Sequence, residues 1–173
     1  MTALTLVQVM EGLLDAIKAG LDTANPSGPT IARTLLTPGE VADDDCMCGQ
    51  LTINEVQRYT SGDFPAPLVQ GTTDNCGAPW LVVELKVTLA RCVPTALDDS
   101  DPPSTVDLTA AAVQFSNDQG VIRKSAGCYL RPLFDSHQLA SFDLGTQIPR
   151  GPTGGCIAGE LQVFIGFTNG CGC

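Results

Sequence analysis

Along residues 5–22, Leu6, Met10, Leu13, Leu14, Ile17 and Leu21 recur at the i, i+4, i+7, i+8 spacing of one helical face. Thr5, with Gln8 three positions on, fits a capping box, and Asn25-Pro26-Ser27-Gly28-Pro29 stops the pattern. Residues 30–37 suit a short strand, and Pro38-Gly39 turns the chain. From Leu51 and Ile53 the alternation slips to Val56, which predicts a strand over 49–60 with a bulge near Asn54. The clearest strand runs Trp80–Val93, where Leu81, Val83, Leu85, Val87 and Leu89 alternate with Val82, Glu84, Lys86, Thr88 and Ala90. Ser104 and Asp107 mark a second helix start, over about 105–119. Leu108, Ala111, Ala112 and Phe115 are its expected buried face, and Gly120 is an expected break before further turns through Cys128. Ile157, Gly159, Leu161, Val163, Ile165 and Phe167 alternate with Glu160 and Gln162 in a closing strand.

This order predicts an α+β fold, a mostly antiparallel sheet with two main helices packed on one face. The 173 residues fit one structural domain, 1–173, with long loops at 61–79 and 129–155. Loops of that length usually have a task of their own. No internal repeat and no linker divides the chain.

Charge narrows the picture. Nine Lys and Arg stand against nineteen Asp and Glu, for a net charge of −10. Few cations can gather into a patch that neutralises phosphates, so sequence-reading of DNA is disfavoured. No stretch reaches the roughly 20 apolar residues of a membrane-crossing helix. The opening MTALTLVQVMEGLLD lacks the basic region and cleavage site of a secretory signal, so the expectation is a soluble protein made in a cytoplasm.

Eight cysteines are many for such a protein. Cys46 and Cys48 form C-M-C, Cys76, Cys92, Cys128 and Cys156 are scattered, and Cys171 and Cys173 close the chain. Three readings stay open: disulfides formed outside a reducing cytoplasm, a four-thiolate zinc site from Cys46, Cys48, Cys76 and Cys92, or small buried residues. The zinc reading lacks the usual C-x-x-C knuckle, and no metal is assigned.

No catalytic constellation emerges, and the chain reads as a non-enzyme without a cofactor. Asp135, Ser136 and His137, which is the single histidine, have the residue types of a hydrolase triad, but sequence neighbours do not converge as a nucleophile, base and orienter must. No flanking motif marks a nucleophilic cysteine. Asp43–Asp45 and Asp98, Asp99 and Asp101 do not follow calcium-loop spacing and read as solvated charge. Gly151-Pro152-Thr153-Gly154-Gly155 has no lysine and is no phosphate loop.

Three segments carry a resemblance: TLVQVMEGLLDAIKAGL before a Pro-rich turn, PWLVVELKVTLARCVP followed by STVDLTAAAVQF, and the closing CIAGELQVFIGFT. In this order they are similar to the tail terminator (tail-completion) proteins of long-tailed bacteriophages. The DDDCMCGQLTINEV segment and the cysteines flanking the long strand resemble neck proteins of phages that infect actinobacteria. The likeness spans most of the chain as order and texture, and the extended 129–155 region departs from shorter members. It implies a ring, usually a hexamer, that caps the tail tube, stops its polymerisation and joins a head-completion (stopper) protein, while genomic DNA passes through the lumen without specific binding. It also implies residence in the virion neck after assembly in the host cytoplasm, and it carries over no catalytic residue. An adaptor or stopper of the same neck is the nearest alternative. A zinc-binding regulatory module and a thiol enzyme are the others.

Overall fold

A computed structural model describes residues 4–26, 28, 30–39, 49–68, 78–95, 102–153 and 155–168. Helix α1 is Leu6–Ala24, and α2 is Thr105–Asp135. The strands are β1 (Arg33–Thr37), β2 (Gln50–Ser61), β3 (Trp80–Cys92), β4 (Ser141–Thr153) and β5 (Cys156–Thr168). They form a five-stranded sheet in the order β1-β2-β3-β5-β4. All neighbours are antiparallel except β1 and β2. The fold is α+β, with both helices against one face of a mostly antiparallel sheet.

The capping box at α1 is complete: Gln8 N–H donates to Thr5 Oγ1 at 3.3 Å and Thr5 N–H donates to Gln8 Oε1 at 2.9 Å. The helix then buries Val9, Met10, Leu13, Leu14, Ile17 and Leu21. Opposite them lie Leu51 and Ile53 of β2, Val83, Leu85, Val87 and Leu89 of β3, and Leu161, Val163 and Ile165 of β5. The two-residue period of each strand delivers these side chains to one face. The β2 bulge falls between Glu55 and Gln57, so Val56 is the extra residue, and it is 46% exposed. That bulge, predicted near Asn54, lets Gln57 and Tyr59 rejoin the face away from the helices.

Helix α2 departs from its expected form. It runs unbroken through Gly120 and on to Asp135, with Pro132 inside its last turn. Of the four residues expected to form its buried face, only Phe115 is buried; Leu108 is 44% exposed and Ala112 is also exposed. The buried stripe is instead Phe115, Asp118, Ile122, Ala126 and Leu130. The helix meets the core through its second half, so residues 105–114 extend past the packed layer.

The expected loop at 129–155 is also corrected. It holds the end of α2 and the whole of β4, an edge strand paired with β5. Its alternation is interrupted by register shifts between Leu144 and Gln147 and between Arg150 and Thr153. Pro149 and Pro152 are tolerated there because an edge strand needs no outward N–H donor. Pro38-Gly39 bends the chain as expected, and because β1 and β2 run parallel they are joined by a crossover and not a hairpin. Of the loop expected at 61–79, residues 69–77 lie outside the described residues; 62–68 form a turn with a bridge between Asp63 and Ala66.

Candidate functional site

The sheet face away from the helices presents the even-numbered residues of β3 and β5. At one end the turn after β2 closes over it. Phe64 stacks edge-on to Trp80 with ring centroids 6.4 Å apart, and it occupies the space that a side chain at Gly166 would need. Tyr59 donates its hydroxyl hydrogen to the Pro65 carbonyl at 2.7 Å. Burial, and next the negative charge of Glu84, raise the Tyr59 phenol above its usual range.

The middle of this face is a polar network. Gln57 Nε2 donates to Glu84 Oε2 at 2.6 Å, and Gln162 Nε2 donates to Glu84 Oε1 at 3.3 Å. Lys86 Nζ stands 3.7 Å from Glu160 Oε1, and Arg150 Nη2 is 3.1 Å from Glu160 Oε2. Each carboxylate is therefore held by donors from neighbouring strands, and Glu84 is only 7% exposed. Carboxylates so held tie neighbouring strands together through a polar, hydrogen-bonded surface.

A second network lies between the layers. Arg91 Nε donates to Asp118 Oδ2 at 2.8 Å, Gln114 Nε2 donates to Asp118 Oδ1 at 2.9 Å, and Asn25 Nδ2 donates to Gln114 Oε1 at 2.6 Å. It ties the end of α1 to α2 and β3. Beside it is a cavity of about 260 Å³, lined in part by Lys18, Asp22, Asn25, Thr30 and Arg91. Lys18 is paired with Asp22 and Arg91 with Asp118, so the charges around the cavity offset one another. The network escaped sequence reading, yet it left a signal. Arg91 continues the odd-numbered apolar positions of β3, and Asp118 falls on the apolar helical stripe of α2. Two charges of opposite sign at core positions are what a buried pair requires.

The residues singled out by sequence are dispersed. His137 sits exposed in the turn after α2 with φ 57°, and its backbone N–H donates to the Phe134 carbonyl at 2.9 Å. Asp135 pairs with Arg131, and the Ser136 hydroxyl donates to the Leu133 carbonyl. The three finish the helix and do not face one another as a triad. Cys92 and Cys156 stand opposite each other in the β3–β5 register, and each is disulfide-bonded. A half-cystine has no thiolate to offer zinc, so Cys92 as it stands does not serve the four-cysteine set. Cys46, Cys48 and Cys76 of that set lie outside the described residues, as do Cys171 and Cys173, Asp43–Asp45 and Asp98, Asp99 and Asp101. Cys128 is a free, exposed thiol on α2. Among the described residues no group of three or more His, Cys, Asp or Glu could hold a metal ion, and no helix is long and apolar enough to cross a membrane.

The electrostatics of the surface follow from the same pairs. Among the described residues, Lys18, Arg58, Lys86, Arg91, Arg131 and Arg150 are in ion pairs within the chain. Arg123 donates to the carbonyls of Leu144 and Gly145. No family model and no curated protein matches the sequence.

Proposed function

We propose that this chain is a virion structural protein of the head–tail neck, a tail terminator of a long-tailed bacteriophage. In this reading copies assemble into a ring, a hexamer by the resemblance, that caps the tail tube and stops its growth. The ring also meets the head-completion protein. The observation that carries the reading is a rigid two-layer unit whose cations are largely engaged within the chain. With a net charge of −10, little is left over to attract phosphate. Repeated around an axis, such a surface makes a lumen through which DNA passes without adhering.

Within the neck, an open sheet with helices on one side supports a terminator over the helix-dominated adaptors and barrel-like stoppers. The disulfides at Cys92 and Cys156 suit a protein that spends its working life outside a reducing cytoplasm.

The test is to mix the purified chain with tail-tube protein and to follow native mass, particle images and tube length. Rings with a central hole and tubes that cease to elongate are expected. A chain that stays solitary alone and beside tube protein, while tubes grow unchecked, would overturn the reading.

A further inference from the structure

The four helical glycines divide into two kinds. A side chain at Gly12 would collide with Tyr129, one at Gly20 with Ser125, and one at Gly127 would touch Leu144 at 3.6 Å. Gly12 and Gly20 are thus explained by neighbours inside the chain, while at Gly127 the contact would be an ordinary one. At Gly120 an added Cβ meets nothing within 4 Å. Glycine inside a helix is unfavourable, and its usual justification is the close approach of another backbone. Among the described residues no backbone approaches there.

Gly120 belongs to a stripe, Val106, Ala110, Val113, Asn117, Gly120 and Lys124, whose members are all exposed. At 100° per residue the stripe lies opposite the buried residues Phe115, Ile122 and Ala126. A helix face so placed is ordinarily polar, yet here Val106 is 74% and Val113 56% exposed. Lys124 has no ion pair among the described residues, while Asp107 supplies a carboxylate at the other end.

We infer that this stripe is a docking face for a second copy of the chain, with the two α2 helices packed antiparallel about a two-fold axis that crosses the exposed face between Val113 and Asn117. The register follows from the residues. Ala110 of one copy falls opposite Gly120 of the other, Val113 opposite Asn117, and Lys124 beside Val106 and Asp107. Small residue meets small residue on both sides of the axis, the lysine stem covers a valine, and its ammonium reaches a carboxylate. The match is complementary in charge as well as shape, and it is self-complementary, as a two-fold contact must be. Between Asp107 and Asp118 the helix carries no charge at all, which lets two copies of an acidic chain meet there without repulsion. A single pair of helices covers less than the roughly 800 Å² per partner of a standard interface, so the pair is reversible. A two-fold contact closes on itself, so it is distinct from the head-to-tail contact of a ring and does not depend on it.

Sedimentation equilibrium over a range of concentrations tests this. The mass is expected to move from 18.0 kDa toward twice that value. Gly120→Leu fills the crevice, and its Cβ meets no atom of the described residues within 4 Å. It should raise the dissociation constant by about tenfold or more, a change of about one decade in affinity, with no fall in melting temperature. Lys124→Glu should weaken the pair more at low salt than at high salt. If larger rings form, the same variants should leave the ring intact and abolish only ring-to-ring pairing. A chain that is monomeric throughout, or a Gly120→Leu dissociation constant within about two-fold of the parent, would overturn the inference. A dimer that never forms rings would overturn the ring reading alone.

Discussion

Helix α1 and the first half of α2 are both capped, both rich in apolar residues, and opposite in what they do with them. In α1 the six buried side chains include Val9, Leu13 and Ile17, each at 0% exposure. In residues 105–114 of α2, no residue is buried, and Val106, Leu108 and Val113 are open to solvent. Apolar content alone therefore does not say which helix is core. What separates them is whether a sheet surface lies within reach. The second half of α2 has one, and from Phe115 onward it buries a residue every three or four positions. Leu108 and Ala110–Ala112 are strong helix formers, so the first half is held by propensity, its cap and the Asn25–Gln114 hydrogen bond more than by apolar packing. The difference identifies a stretch built to be covered by something else.

The strongest way to probe the packed side is at the junction of the two helices. Asp118→Ala leaves Arg91 buried without its carboxylate and should cost about 3–5 kcal/mol of unfolding free energy in chemical denaturation. Leu13→Ala in α1 should cost about 2–5 kcal/mol, whereas Val113→Ala in α2, measured on the monomer, should stay within about 0.5 kcal/mol of the parent. Equal losses at the two sites would erase the contrast.

The caps sharpen it further. Thr5→Ala removes a cap from a packed helix and should lower global stability by about 1 kcal/mol. Ser104→Ala removes the hydroxyl that accepts from Asp107 N–H at 3.1 Å. Because the turns it starts are unpacked, its effect should be local: faster hydrogen exchange over 105–113 with little change in melting temperature.

The smallest effect is expected in alkali. Tyr129 lies where α2 crosses Gly12 of α1, and burial, followed by the charge of Asp15, raises its phenol above the ordinary 10.0. On raising pH the unfolded chain loses this proton first. The contribution to stability is thus complete below pH 10.0 and disappears as pH climbs through the folded value. Tyr59 shifts the same way. Near-ultraviolet absorbance should show both tyrosines titrating later in the folded chain than in denaturant. A midpoint that denaturant leaves unchanged would show that the phenols feel no burial.

Much of the fold was legible in sequence because it rests on local periods. Residues 5–22 declared a helix, residues 80–93 and 157–167 declared strands, and Thr5 and Ser104 declared starts. The misreadings came where local cues conflicted with packing. Gly120 looked like a break, yet the stretch 105–135 is one helix because Ile122, Ala126 and Leu130 are anchored on the sheet. β4 looked like a loop because bulges scramble its alternation and its prolines suit only an edge. The buried Arg91–Asp118 pair was written in the sequence as two charges on apolar stripes, but nothing local says that the two stripes face each other.

The chain by itself determined helix α1, the start of α2, the strands β1, β2, β3 and β5, the two caps and the acidic balance. These depend on neighbours a few residues apart, which periodicity and propensity report directly. Tertiary structure decided strand order, the parallel pairing of β1, the sharing of Glu84 and Glu160 among donors from different strands, and which half of α2 is covered. Those follow from contacts between residues distant in sequence, where only the packed sheet sets who meets whom.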